Sequence, residues 1–161
     1  MLFRSGAAIT FDLDDLGSGT ALSGSDYTAI AGDAQISVAA GASTGTFTVP
    51  VIDDALLEAT ETVVAQISNS SNGSVMIGMA SATANITDND TATADLSVTT
   101  HGHETGPVGI VYTVTLSKAN DTGAAITFDL DDLGSGTALS GSDYTAIAGD
   151  AQISVAAGAS T

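Results

Sequence analysis

A chain of 161 residues with 43% hydrophobic residues has room for one domain or one and a half, with an ordinary core. Nineteen acids against two basic residues give a formal net charge of -17, which excludes a nucleic-acid partner or an anionic membrane held by charge and favours cations. The chain has no cysteine, hence no disulfide framework or thiolate metal site, and no stretch approaches the roughly 20 apolar residues of a membrane insertion.

Residues 1–5 lack the apolar core of a signal peptide and match nothing later in the chain; they read as a foreign leader. In 8–16, Ile9, Phe11 and Leu13 alternate with Thr10, Asp12 and Asp14, which predicts a strand with one buried face. Asp12, Asp14 and Asp15 then belong to a solvated outer surface. The run from Asp12 to Gly17 looks like the start of an EF-hand loop, but Leu16 and Ser23 stand at its fifth and twelfth positions, where oxygen ligands are required. Gly17-Ser18-Gly19 has no helix after it and is not a phosphate cradle. The join 17–33 carries Asp26 and leads to a strand over 34–38.

A further strand is predicted over 45–52, where Phe47, Val49 and Val51 alternate with Thr48, Pro50 and Ile52. It runs directly into Asp53, Asp54, Glu58 and Glu61, with no Lys or Arg nearby. Carboxylates so crowded repel by several kcal/mol per close pair when partly desolvated, so a cation is expected among them. Strands follow over 62–68 and 80–86, separated by the Asn72-Gly73 turn, and then Asp88 and Asp90 precede a linker over 91–94. Strands over 95–99 and 108–117 enclose a join with His101, His103 and Glu104. Seven short strands and no amphipathic helix predict an all-β, antiparallel β-sandwich. Phe11, Tyr27, Phe47 and Tyr112 are its expected core aromatics. The sequons at Asn69, Asn72, Asn85, Asn89 and Asn120 are expected by chance in so Ser/Thr-rich a chain.

Residues 6–44 recur without a change as 123–161, an offset of 117. The chain is therefore expected to be a window on a tandem array: 6–90 is a repeat lacking its first two strands, 91–94 a linker, and 95–161 the N-terminal part of the next repeat. Refilling the first sandwich with 95–117 would require its first strand to start at the opposite pole, roughly 30 Å away by strand rise. Two incomplete sandwiches are the expectation.

If consecutive strands alternate in direction, the joins 101–107, 17–33 and 53–61 and the exit after 86 lie at one end. That end collects Glu104, Asp26, Asp53, Asp54, Glu58, Glu61, Asp88 and Asp90, and Asp143 takes the place of Asp26 in the second copy. Hard oxygen ligands from several loops suit Ca2+, which takes six to eight oxygens at flexible geometry.

Gly24-Ser25-Asp26-Tyr27, Val51-Ile52-Asp53-Asp54 with Glu58 and Glu61, and Ala84-Asn85-Ile86-Thr87-Asp88-Asn89-Asp90 together resemble the Calx-beta domain. The resemblance spans the whole repeat. It implies an immunoglobulin-like sandwich of seven strands that binds calcium through those acids, with Glu104 similar to the family's ligand in the first inter-strand loop. Ala55 departs from the pattern, since calcium-rich members carry a third Asp there, and Asn89 replaces a frequent Asp; fewer ions per site follow. Nearly identical tandem copies resemble those of long calcium-dependent bacterial adhesins of the RTX type, although the glycine-rich nonapeptide repeats of such proteins are absent from these residues.

The function these readings favour is an extracellular spacer whose partners are calcium ions and neighbouring repeats of the same chain. Two alternatives stay open, a ligand- or glycan-binding module and a calcium-sensing domain of a membrane transporter; few exposed aromatics are available to stack on sugars. An enzyme is not expected: the acids exceed what hydrolysis needs, no Ser-His-Asp arrangement is visible, and the histidines lack a third soft ligand for a transition metal.

Overall fold

The alternation of Ile9, Phe11 and Leu13 with polar neighbours produces a strand, β1 (Ile9–Asp15), with Leu13 buried. The computed structural model describes residues 6–161, so the expected leader lies outside the described residues. Every regular element among the described residues is a strand: β1, β2 (Gln35–Val38), β3 (Leu57–Glu58), β4 (Glu61–Ser68), β5 (Ser81–Ile86), β6 (Ala94–Thr100), β7 (Val111–Leu116), β8 (Asn120–Asp121), β9 (Ile126–Asp129) and β10 (Gln152–Val155). No helix among them is long and apolar enough to cross a membrane. The chain divides into two compact units, one comprising the residues up to Asp54 with Thr60–Thr87, the other Ala55–Ala59 with Asp88–Thr161.

Unit 1 is built on an antiparallel sheet in the order β2-β1-β4-β5. Its register pairs Phe11 with Ile36, Leu13 with Ile67, and Val63 with Ala84, so the apolar residues share one face. Thr10, Asp12 and Asp14 share the other with Ser37, Gln35 and Gln66. The buried cluster sits at one end of the apolar face, where Ala21, Tyr27 and Val63 meet Val49 and Ile86.

The alternation over 45–52 does not yield a ladder strand. Val51 makes one isolated bridge with Tyr27, flanked by hydrogen bonds from the Thr28 amide to the Pro50 carbonyl (2.8 Å) and from the Ile52 amide to the Asp26 carbonyl (2.9 Å). An alternating segment becomes a strand only where another edge offers it donors and acceptors.

Unit 2 contains the antiparallel hairpins β6–β7 and β9–β10 and the parallel pair β3–β8. Among the described residues, strands β6 and β7 form a two-stranded sheet with each other, with a register shift between Val98 and Thr100. Val114 and Leu116 of β7 pack with Val155 of β10, joined by Ile126, Phe128, Ile153 and Ala159. Asn120, noticed in the sequence only as a sequon, is fully buried. Its amide nitrogen donates to the carbonyls of Ala124 (2.8 Å) and Val155 (3.1 Å), and its oxygen accepts the Thr122 hydroxyl (2.7 Å). That sequon is inaccessible in the folded chain.

The outer-face acids of β1 are hydrogen-bonded as well as solvated. Asp12 accepts from the side-chain amides of Gln35 (2.7 Å) and Asn69 (2.9 Å), and these bonds, Asn69 first, hold its carboxyl below the usual carboxylate range. A carboxyl depressed by folding stabilises the fold above its unfolded pKa of about 4, and that contribution is lost as pH falls through the lower folded value. Asn69→Ala should therefore raise the Asp12 pKa, as followed by carboxyl carbon NMR shifts against pH. An unchanged titration would rule out the Asn69 bond as the cause.

Candidate metal centre

Asp26 sits in a tight turn, where the amides of Ser25 and Asp26 both donate to the Leu22 carbonyl and the Gly24 amide donates to the Tyr27 carbonyl (2.8 Å). Gly24 has φ 89°, a left-handed conformation that glycine adopts without strain. The Asp26 carboxylate accepts the Leu22 amide at 2.5 Å and is buried, at 7% exposure. Next to it, Tyr27 is 2% exposed and donates its hydroxyl to Asp15 at 2.5 Å. The Tyr27 hydroxyl, then the Gly17 amide, keep Asp15 below the usual carboxylate range, and the same bond pushes the Tyr27 phenol up. Asp15 lies on the face of β1 that carries Leu13 and anchors this turn; it is not part of a solvated outer row.

The bond from the Ile52 amide to the Asp26 carbonyl brings the start of the acidic run alongside this turn. Asp26 and Asp54 each present a carboxylate oxygen, and these lie within 4.8 Å of one another. Two Ca–O bonds of about 2.3–2.6 Å each span roughly that separation, so the pair fits a bridging hard cation. Asp53 is exposed, and Glu61 is half-buried at the first position of β4, paired in register with Ile86.

Unit 2 holds the next acids. The Glu58 amide donates to Asp88 at 2.8 Å, and the Asp90 amide donates to the other oxygen of the same carboxylate at 2.8 Å. These two donors, Glu58 first, hold Asp88 below the usual carboxylate range. Asp90 makes a short hydrogen-bonded ion pair with Lys118, the one Lys or Arg among the described residues. Sequence reading missed this pairing because the partners are 28 residues apart. The available signal was that residues 6–122 hold a single Lys or Arg, Lys118, among their many acids. Glu58 also lies in β3, which pairs with β8, so 55–59 is more than a ligand loop.

Glu104 is exposed in the connection between β6 and β7. Asp143 accepts the Leu139 amide at 2.7 Å, as Asp26 accepts that of Leu22, yet Asp143 is exposed. The turn is thus local in origin, whereas the burial of Asp26 comes from the segments of unit 1 packed on it. His103 accepts the Thr105 amide at 3.0 Å within its own loop.

The acids of both turns sit on strands and joins of an all-β fold, and the Calx-beta domain family matches residues 9–90, just over half of the chain. The chain belongs to this family. No curated protein and no solved structure matches it. Calx-beta domains are calcium-associated. Of the sequence-derived candidates, Asp26, Asp53, Asp54, Glu58, Glu61, Asp88 and Asp90 lie inside the Calx-beta match, and Glu104 and Asp143 lie beyond it.

Proposed function

We propose that this Calx-beta chain is a calcium-binding structural repeat, an extender module of a large secreted or cell-surface bacterial adhesin of the RTX type. Calcium in this reading holds the acidic connections and stiffens the joint between one repeat and the next. The observation that carries it is the Asp26–Asp54 pair, two hard oxygen ligands at a separation a calcium ion spans. Asp88 and Asp90 support it, since Asp90 directly precedes the three residues 91–93 that lead into β6. The role is mechanical and not enzymatic, and the partners are calcium and neighbouring repeats.

Small-angle scattering on three or four consecutive 117-residue repeats tests the extender role. The maximum dimension should grow almost linearly with repeat number in calcium and be shorter and more variable in chelator. Equal dimensions in both conditions would refute stiffening even if calcium stabilises each module.

A further inference from the structure

Tyr27 is joined to three parts of unit 1 on which the Asp26–Asp54 pair depends. Its ring is buried with Ala21 and Val63, and Val49 and Ile86 pack on this cluster. Its hydroxyl donates to one oxygen of Asp15 at 2.5 Å, while the Gly17 amide donates to the other at 2.9 Å. Both oxygens of Asp15 thus accept protein donors. The Tyr27 backbone closes the turn by accepting the Gly24 amide at 2.8 Å, and it bridges Val51. Asp26 directly precedes Tyr27 and Asp54 lies three residues beyond Val51, so the placement of both carboxylates runs through this one residue.

The clasp between Tyr27 and Asp15 does not depend on the segments that bury Tyr27. In unit 2, Tyr144 makes the same short bond to Asp132, whose other oxygen accepts the Gly134 amide at 2.9 Å, and the Gly141 amide donates to the Tyr144 carbonyl at 2.8 Å. Tyr144 is only half-buried there. Residues 15–27 therefore encode the clasp locally. Two carboxylates whose oxygens lie within 4.8 Å repel each other unless a cation joins them, and the calcium affinity of a site depends on its rigidity. A turn held to β1 against that repulsion leaves less ordering for the ion to impose on binding.

We propose that Tyr27 and Asp15 are positioning residues of the calcium site: neither ligates the ion, and the bond between them holds the Asp26 turn at the spacing from Asp54 that calcium spans. The inference rests on the calcium reading above and adds to it two residues outside the set of candidate ligands.

Isothermal titration of the full chain with calcium, alongside melting in chelator, tests this. Tyr27→Phe removes the hydroxyl and leaves the ring and every charge in place; it should weaken calcium binding about tenfold, the cost common to groups that hold a metal ligand in place. Tyr144→Phe removes the same bond from unit 2 and should leave binding at the parent's level. Asp15→Ala and Asp15→Asn lose the same charge, but only Asn keeps an acceptor for the Tyr27 hydroxyl. Asp15→Ala should therefore lose at least as much affinity as Tyr27→Phe, and Asp15→Asn should retain most of it. Calcium binding unchanged in Tyr27→Phe, whatever its melting temperature in chelator, would make the bond purely structural and overturn the proposal. An equal loss in Tyr144→Phe, or equal losses in Asp15→Ala and Asp15→Asn, would overturn it too, the latter by marking a charge effect. A parent chain with no saturable calcium binding would overturn the calcium reading itself, and this inference with it.

Discussion

Gly19→Ala should lower the stability of unit 1 by about 3 kcal/mol, whereas Gly136→Ala, the same change in the same sequence, should cost nothing. A methyl group on Gly19 would lie 2.0 Å from the Thr62 carbonyl oxygen and 2.8 Å from its carbon, while one on Gly136 would meet no atom beyond its chain neighbours within 4 Å. The missing side chain lets 19–21 lie against the start of β4. There the Ala21 amide donates to the Thr62 carbonyl (3.0 Å), the Thr20 amide to the Thr62 hydroxyl (3.1 Å), and the Thr62 amide to the Thr20 hydroxyl (2.9 Å). Both sides of the contact are backbone, so neither can give way without breaking these bonds and opening the cluster of Ala21, Tyr27 and Val63. For a unit of this size that is a fall in melting temperature of more than about 10 °C. Thermal and urea unfolding of the two variants beside the parent check it; equal falls would show that the close approach at Gly19 is not what stabilises the connection.

The pair Gly19 and Gly136 also marks where sequence reading stops. Alternation located β1, β2, β4, β5, β6 and β7 to within about three residues, because one buried face imposes a period of two whatever the partner. It also marked 45–52 as a strand, but a ladder depends on an edge elsewhere, and local sequence says nothing of whether that edge is present. The pairing of Leu57–Glu58 with Asn120–Asp121 left no trace, since two residues in a parallel pair carry no period. Among the acids, density alone picked out Asp53, Asp54, Glu58 and Glu61. Which of them meet is fixed by turns and amides: the Leu22–Tyr27 turn orients Asp26, and the Glu58 amide occupies Asp88. The bonds from Tyr27 to Asp15 and from Lys118 to Asp90 join residues 12 and 28 positions apart, and composition alone does not connect them.

Calcium should raise the melting temperature of the full chain, because an ion that binds only the folded state adds RT ln(1 + [L]/Kd), about 2.7 kcal/mol at a hundredfold excess over Kd. Four Asp→Asn variants separate a site from a charge effect, each removing one negative charge and keeping the side chain's shape. Asp26→Asn and Asp54→Asn should abolish most of the rise, since their oxygens lie within 4.8 Å of one another and an amide oxygen is a weaker ligand than a carboxylate. Asp26→Asn retains an acceptor for the Leu22 amide, so the turn itself should survive the change. Asp143→Asn alters the same residue of the identical turn in an exposed setting, and Asp12→Asn a carboxylate bonded to Gln35 and Asn69; both should keep the full rise. Magnesium should do less than calcium in every case, because its shorter bonds of about 2.0–2.1 Å and near-ideal octahedron suit widely spaced loop ligands poorly. If all four variants lose the same small part of the response, the ion acts by screening a strongly acidic chain, and the Asp26–Asp54 pair is not a binding site.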